Sequence, residues 1–297
     1  MNISNSIHEY IALTKPRVVM LMILTTIIGM ILAINYENAP VDLIKASLSI
    51  IGIFFLASAA AIFNQLADQK IDAIMLRTNK RPLPQGTIST YNAFIFGLTL
   101  TIIGVSILYF YVNSITAILT FLTLIGYAVV YTLFLKKLTP QNIVIGGIAG
   151  ATPPLLGWTA ITNSIAAEPL LLVLIIFVWT PPHFWALAIY RHKDYKNAKV
   201  PMLPITHGIE YTKLNILLYT VLMCAVTYLP YCIYMGGVFY AISVSILNII
   251  FLYYSIALYV IKDYTKYIEY AVKTFRYSII YLMLLFICLL IDNFMMY

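Results

Sequence analysis

Nine stretches of this chain are apolar for about the length a helix needs to cross a bilayer, roughly 20 residues for about 30 Å of hydrocarbon. No other feature limits its fold so tightly. The runs are Val18 to Tyr36, Leu43 to Phe63, Tyr91 to Val112, Ile115 to Leu135, Asn142 to Thr162, Pro169 to Tyr190, Leu214 to Met235, Val238 to Ile261 and Tyr277 to Met296. They are continuous rather than alternating every second residue, which argues against a membrane β-barrel. With 62% hydrophobic and only 10% charged residues among 297, a soluble domain would expose large apolar patches. The expected class is therefore an all-α integral membrane protein, with about nine transmembrane helices around a central cavity.

Orientation follows from the basic residues, because Lys and Arg in short loops stay on the cytoplasmic side. Of the 18 Lys and Arg residues, all but Lys45 fall at the same set of span ends, which predicts a cytoplasmic N-terminus and a periplasmic C-terminus. The net charge of +7 does not signal nucleic acid, since these residues hug membrane boundaries and form no separate domain. Cys224, Cys232 and Cys288 all lie in apolar spans without metal or heme-attachment spacing. The first 14 residues contain Glu9 and no Arg, unlike a transit or signal peptide. A bacterial inner membrane fits best. A single domain over residues 1–297 is expected, and nothing in the sequence speaks to oligomeric state.

Two cytoplasmic connections, 64–90 and 191–213, are long and hold an unusual share of the polar chemistry. Long connections in a compact protein are usually functional or disordered, and the apolar residues and placed prolines here argue against disorder. In the first, Asn64, Asp68 and Asp72 recur every four residues directly after an apolar span, so a helical extension would put them on one face. Two carboxylates and an amide oxygen in a row suit Mg²⁺, which keeps several waters and binds substrate phosphates. Arg77, Lys80 and Arg81 follow, cations suited to a diphosphate. Pro82-Leu-Pro84-Gln-Gly86 should then stop the helix and turn the chain. The competing reading is a solvated helix end whose charges pair with one another. With 11 acidic residues in the whole chain, two in register with an Asn at a membrane boundary exceed what solubility requires. The second connection echoes the first, with Asp194 among Lys193, Lys196 and Lys199, then Pro201-Met-Leu-Pro204 and Gly208. The echo suggests a four-helix duplication but is too short to establish one.

Spans five and six each carry a Thr-Pro-Pro, at Thr152 and Thr180, about 15 Å from the cytoplasmic end by helix rise. Each should break its helix near mid-membrane, where freed carbonyls are tolerated only if buried or lining a cavity. His183 follows the second break, with Phe184 and Trp185 beside it. An ionisable ring at membrane depth is a functional candidate, or else it bonds a carbonyl freed by the prolines. Tyr127, Tyr131 and Lys136 approach the end of span four, where tyrosines serve as interface anchors or site residues.

The strings Asn64-x-x-x-Asp68-x-x-x-Asp72, Met75-Leu-Arg77-Thr78-x-x-Arg81-Pro82-Leu-Pro84 and Asp194-Tyr195-x-x-Ala198-x-Val200-Pro201-Met-Leu-Pro204 resemble the intramembrane UbiA-type prenyltransferases over nearly the whole chain. Thr180-Pro-Pro-His183-Phe-Trp185-Ala-Leu-Ala and the run from Asn142 to Trp158 look like the protoheme IX farnesyltransferase branch. The resemblance implies transfer of farnesyl from farnesyl diphosphate to a vinyl group of heme B, with hydration, to give heme O. It implies Mg²⁺ at Asn64, Asp68 and Asp72, catalytic roles for Asp68, Asp72 and Asp194, and charge neutralisation by Arg77, Lys80, Arg81, Lys193 and Lys199. His183 and Trp185 would contact heme. The chain departs from many relatives of the wider family in having Ala198 four residues after Asp194 instead of a second acid, so a second fully acidic metal site is in doubt. A transporter built on broken helices, or a prenyltransferase with another aromatic acceptor, are the competing functions.

Overall fold

A computed structural model describes residues 3–296; the side chains of residues 3–6 and of Lys137, one of the basic residues counted above, lie outside what is described. All secondary structure among the described residues is helical. The order begins α1 (Ile3–Leu13), α2 (Pro16–Glu37), α3 (Leu43–Ile74), α4 (Pro82–Gln85), α5 (Thr90–Tyr111) and α6 (Ser114–Ile125). A π-helix over Gly126–Leu135 continues α6, followed by α7 (Lys136–Leu138), α8 (Asn142–Ala151), α9 (Pro153–Thr162) and α10 (Ala167–Tyr190). The order ends with α11 (His192–Asn197), α12 (Leu203–Thr206), α13 (Ile209–Val226), α14 (Leu229–Cys232), α15 (Val238–Val260) and α16 (Tyr264–Met296). Nine segments among the described residues are long and apolar enough to cross a membrane, and they coincide with the nine apolar runs.

Local chemistry sets the helix starts. Asp42 accepts from the amides of Ile44 and Lys45, both at 3.0 Å, at the head of α3. Ser89 and Asn113 do the same for α5 and α6, at 3.1 and 2.8 Å. Such caps satisfy amides that the helix itself leaves unpaired.

The framework divides into two compact units. The first comprises residues up to Ile34, Ala39–Lys137 and Thr152–Ile165; the second comprises Asn35–Asn38, Leu138–Ala151 and the chain from Ala166 onward. In the first, α3 packs along α5, and α9 lies against both α3 and α6. Contact there is close enough to demand glycine. A Cβ on Gly157 of α9 would collide with the Thr26 carbonyl of α2, and one on Gly29 of α2 would collide with the Pro154 carbonyl. Small residues that let backbones approach in this way are the usual glue of membrane helices. In the second unit α10 packs on α8, α13 and α16, while α15 joins α13 and α16.

Four expectations need correction. The Thr-Pro-Pro at Thr152 does divide its span into α8 and α9, but Pro181 and Pro182 lie inside an unbroken α10. There Thr180 Oγ1 bonds the Ile176 carbonyl at 2.8 Å and its methyl fits against Gly147 of α8. The helix thus continues through the missing amides. Secondly, the helix carrying Asn64, Asp68 and Asp72 ends at Ile74, where Met75 turns extended, and Pro82–Gln85 forms a separate short helix that Gly86 closes at φ +71°. Thirdly, the last helix starts at Tyr264, not Tyr277. Its extra turns follow the Asp263 cap, which accepts from the Lys266 amide at 3.0 Å, and carry the Glu269–Lys273 pair at 2.7 Å. Lys213 likewise sits not in a loop but fully buried on α13, bonding Glu210 and the Ile261 carbonyl, each at 2.8 Å.

Gly157→Ala should lower stability by about 3 kcal/mol, because the atom in its path is backbone and cannot rotate away. Gly150→Ala, which adds a methyl into open space, should leave the melting temperature in detergent unchanged. Equal melting of the two variants would refute the close α2–α9 contact.

Candidate active site

Asn64, Asp68 and Asp72 do share one face of α3, and all three are buried, at 4%, 3% and 3% exposure. Carboxylates so enclosed cost several kcal/mol each unless neutralised and hydrogen-bonded. Arg81 and Lys136 supply that neutralisation. Arg81 Nη1 lies 2.5 Å from Asp72 Oδ2 and Lys136 Nζ lies 2.6 Å from Asp68 Oδ2. A third cation, Lys15, donates to Asn64 Oδ1 at 2.5 Å. The Asn64 amide nitrogen in turn donates to Asp68 Oδ2 at 3.0 Å and to Thr132 Oγ1 at 3.1 Å.

Each cation arrives by a different piece of local structure. The turn after α3 buries Met75 and Thr78, and Thr78 Oγ1 bonds the Asp72 carbonyl at 3.1 Å, which folds Arg81 back over Asp72. Arg77 and Lys80, on the same turn, are exposed. Lys15 follows α1 with a left-handed φ of +50°, and Gln65 Nε2 fastens the preceding Leu13 carbonyl at 2.6 Å. Lys136 directly follows the π-helix. Its wider i to i+5 repeat lets Thr132 Oγ1 bond the Tyr127 carbonyl at 2.7 Å while still accepting from Asn64. Stretches of π-helix often mark functional sites. Tyr127 and Tyr131 stack on this segment with centroids 5.6 Å apart and planes 19° from parallel.

Burial pushes the Lys15 ammonium down to about 7, with nearby Arg81 adding to the effect and Asp68 and Asp72 opposing it. Near neutral pH this lysine carries less than a full charge.

The donor set suits Mg²⁺. Asp68 Oδ1 is buried with no hydrogen-bond partner, an oxygen aimed at a cation of its own. No group of three or more His, Cys, Asp or Glu side chains able to hold a metal occurs among the described residues. An all-protein zinc cage is therefore not built here, whereas two carboxylates and an amide oxygen match a hard ion that completes its shell with water and phosphate.

In the second unit, Asp194 lies on the short α11 with Arg191 Nη1 at 3.7 Å from Oδ2. Its partner is thus Arg191 rather than the neighbouring Lys193 or Lys196. Asp194 Oδ2 and Arg191 Nε are buried without hydrogen bonds, while Lys193 and Lys199 are exposed.

His183 is stacked between Trp179, 4.2 Å away by centroid, and Phe275 at 4.7 Å, with Phe184 edge-on at 4.9 Å. Its Nδ1 lies 2.7 Å from Ser278 Oγ, so it bonds a side chain of α16 and not a carbonyl freed by the prolines. The Ser278 hydroxyl donates to the Phe275 carbonyl at 2.7 Å. With the hydroxyl proton on that carbonyl, the Ser278 oxygen is an acceptor for the Nδ1–H tautomer of His183, the form that leaves Nε2 with a lone pair. Trp179 Nε1 donates to the Ser278 carbonyl at 2.7 Å and steadies the same point. Trp185 is wholly enclosed, edge-on to Tyr219 at 5.3 Å, and its indole nitrogen has no hydrogen-bond partner.

Spanning helices of this kind, with a cation-ringed row of two carboxylates and an amide at the end of one of them, define a multi-pass membrane enzyme that handles an anionic substrate. The UbiA prenyltransferase family is matched over residues 22–280, and the chain belongs to that family. It is 54% identical over 288 residues to Protoheme IX farnesyltransferase 2 of Pseudoalteromonas atlantica, covering 97% of this chain and 92% of that one. It is 53% identical over 289 residues to Protoheme IX farnesyltransferase of Legionella pneumophila (strain Lens), covering 97% and 95%. The fold is similar to that of digeranylgeranylglyceryl phosphate synthase, with a TM-score of 0.80 at 22% identity over 97% of this chain and 99% of that one. A UbiA homolog from Archaeoglobus fulgidus bound to DMAPP and Mg²⁺ superposes with a TM-score of 0.62 at 14% identity, covering 93% and 99%. The protein is a prenyltransferase of the membrane, not a transporter.

Lys136→Met should cut kcat by on the order of 10²-fold, as removing one preorganised charge from an active site does. Asp68→Asn and Asp72→Asn should abolish turnover while each variant still inserts and elutes from size-exclusion chromatography like the parent. Normal turnover in either Asn variant would remove the carboxylates from the chemistry.

Proposed function

We propose that the protein transfers farnesyl from farnesyl diphosphate to a vinyl group of heme B, with hydration, to give heme O. The observation that carries this reading is the 50–54% identity, over 97% of the chain, to proteins named protoheme IX farnesyltransferase. The site supports it. Bound at Asn64, Asp68 and Asp72, Mg²⁺ would supply Lewis-acid neutralisation of the diphosphate leaving group. The chain's own cations do the rest. Arg81 and Lys136 stand 2.5 and 2.6 Å from the carboxylates, placed to pair with diphosphate oxygens as charge develops on the leaving group. Lys15 holds Asn64 in orientation, and Arg77 and Lys80 extend positive charge outward. Apolar spans exclude water from the allylic carbon while its bond to the diphosphate oxygen breaks and the terminal vinyl carbon adds; the cation left on the inner vinyl carbon then takes a water, which loses a proton to give the hydroxyl. In the second unit Asp194, Lys193 and Lys199 are assigned to binding anionic substrate groups, with the orphaned Asp194 oxygen the support for Asp194.

His183 is the residue assigned to heme. Its Nε2 lone pair suits an iron ligand, and the Ser278 hydrogen bond to Nδ1 is the kind of outer contact that orients a ligating histidine. Trp185 serves this reading only as packing beneath the same helix. The distribution of basic residues supports a reading in which these ends face the cytoplasm and the C-terminus the periplasm, within a single UbiA-type domain.

The test is purified protein in detergent given heme B, farnesyl diphosphate and Mg²⁺, with pigments resolved by chromatography and mass. A product heavier by a hydrated farnesyl group, lost on adding EDTA, is expected. Consumption of diphosphate beside intact heme would reject heme as acceptor. His183→Ala should weaken heme binding, read from the Soret band, by about ten-fold or more while leaving farnesyl diphosphate affinity unchanged. Equal heme titrations of variant and parent would make His183 structural.

A further inference from the structure

One side of α1 packs on the first unit, and its outer edge is exposed. Leu13 is buried with Ile62, Leu83, Ile88 and Ala93, and Tyr10 meets Phe96 edge-on at 5.1 Å. Thr87 Oγ1 donates to Glu9 at 2.9 Å. Beyond these contacts the end of α1 reaches the metal motif itself, through the Gln65 bond to the Leu13 carbonyl and the Lys15 bond to Asn64. On the outer edge Ile7 and Ile11, one turn apart, are 57% and 49% exposed.

What covers that edge follows from its neighbours. Ile11 lines a groove of about 310 Å³ together with Ala12, Pro16 and Val18 and the polar His8, Lys15 and Arg17. The groove joins α1 to the first turns of α2, where Val18 and Met20 are 57% and 58% exposed. Because α2 is a membrane span, its bare apolar side faces lipid, and the bare side of α1 continues the same surface. The 11 residues of α1 extend only about 16 Å, too short to cross the bilayer. Thr14 and the left-handed Lys15 are all that separate it from the span. A short helix with isoleucines on one edge and His8 and Glu9 on another is suited to lie in the interface plane.

We propose that α1 is an interfacial helix whose Ile7–Ile11 edge rests at the headgroup–acyl boundary of the bilayer, and that this seating, passed through Leu13 and Lys15, holds Asn64 in its working position. The coupling rests on the reading of Asn64, Asp68 and Asp72 as the prenyl diphosphate site; the seating does not.

The experiment uses the full chain in nanodiscs, with Cys224, Cys232 and Cys288 replaced by Ser and a nitroxide attached after Ile7→Cys, Ile11→Cys or, as the lipid reference, Val18→Cys. Labels at 7 and 11 should be relaxed more by oxygen than by a nickel chelate, as at 18. Relaxation mainly by the chelate at both positions overturns the seating. Separately, the paired change Ile7→Asp with Ile11→Asp should raise the Kd for farnesyl thiodiphosphate in Mg²⁺ by about five-fold or more, while Ile7→Leu with Ile11→Leu leaves it unchanged. An Asp pair that binds like the parent overturns the coupling. A parent that binds no thiodiphosphate refutes the diphosphate reading and the coupling with it, and the nitroxide data then still decide where α1 lies.

Discussion

Two carboxylates at the end of an apolar helix must find positive charge or lose their ionisation, and much of the first unit is arranged around that requirement. Asp68 and Asp72 are almost wholly enclosed, so each unpaired charge would cost several kcal/mol. The turn that returns Arg81 to Asp72, the π-helix that delivers Lys136 to Asp68 and the left-handed residue that aims Lys15 at Asn64 are three local solutions to one electrostatic problem. The same arrangement leaves Asp68 Oδ1 without a hydrogen-bond partner, with cations already in place around it.

Holding the ring requires unusual backbone. A regular α-helix at the end of span four would place Thr132 and Lys136 differently around the axis, and the π-helix over Gly126–Leu135 accommodates both contacts at once. Inside the membrane, where no water relieves an unpaired amide or carbonyl, such departures persist only where packing compensates them. Gly157 and Gly29 allow α2 and α9 to approach to backbone contact. In the second unit, Thr180 and Gly147 carry α10 past two prolines without a break.

Much of this was legible in advance. Apolar run length located the spans, because crossing hydrocarbon demands a minimum length whatever the neighbours are. The four-residue spacing put Asn64, Asp68 and Asp72 on one face, because helix periodicity is local. Lys15 and Lys136 were missed as site residues, since positive charge at a span end is expected on topological grounds and gives no sign of facing inward. Arg77 and Lys80 looked equivalent to Arg81, and only the buried turn at Met75 and Thr78 separates them. The early start of α16 was hidden for a related reason: its first turns carry charge, which resembles a loop until the Asp263 cap and the Glu269–Lys273 pair are seen.

The sequence by itself determined the solvent, the spans, the shared face of Asn64, Asp68 and Asp72, and the family, because each of these is written in composition or in spacing within one segment. Tertiary structure decided which cations serve the carboxylates, which proline pair breaks its helix and which side chain His183 bonds. Those outcomes depend on partners up to 95 residues away in the chain, and distance across a fold has no signature in local sequence.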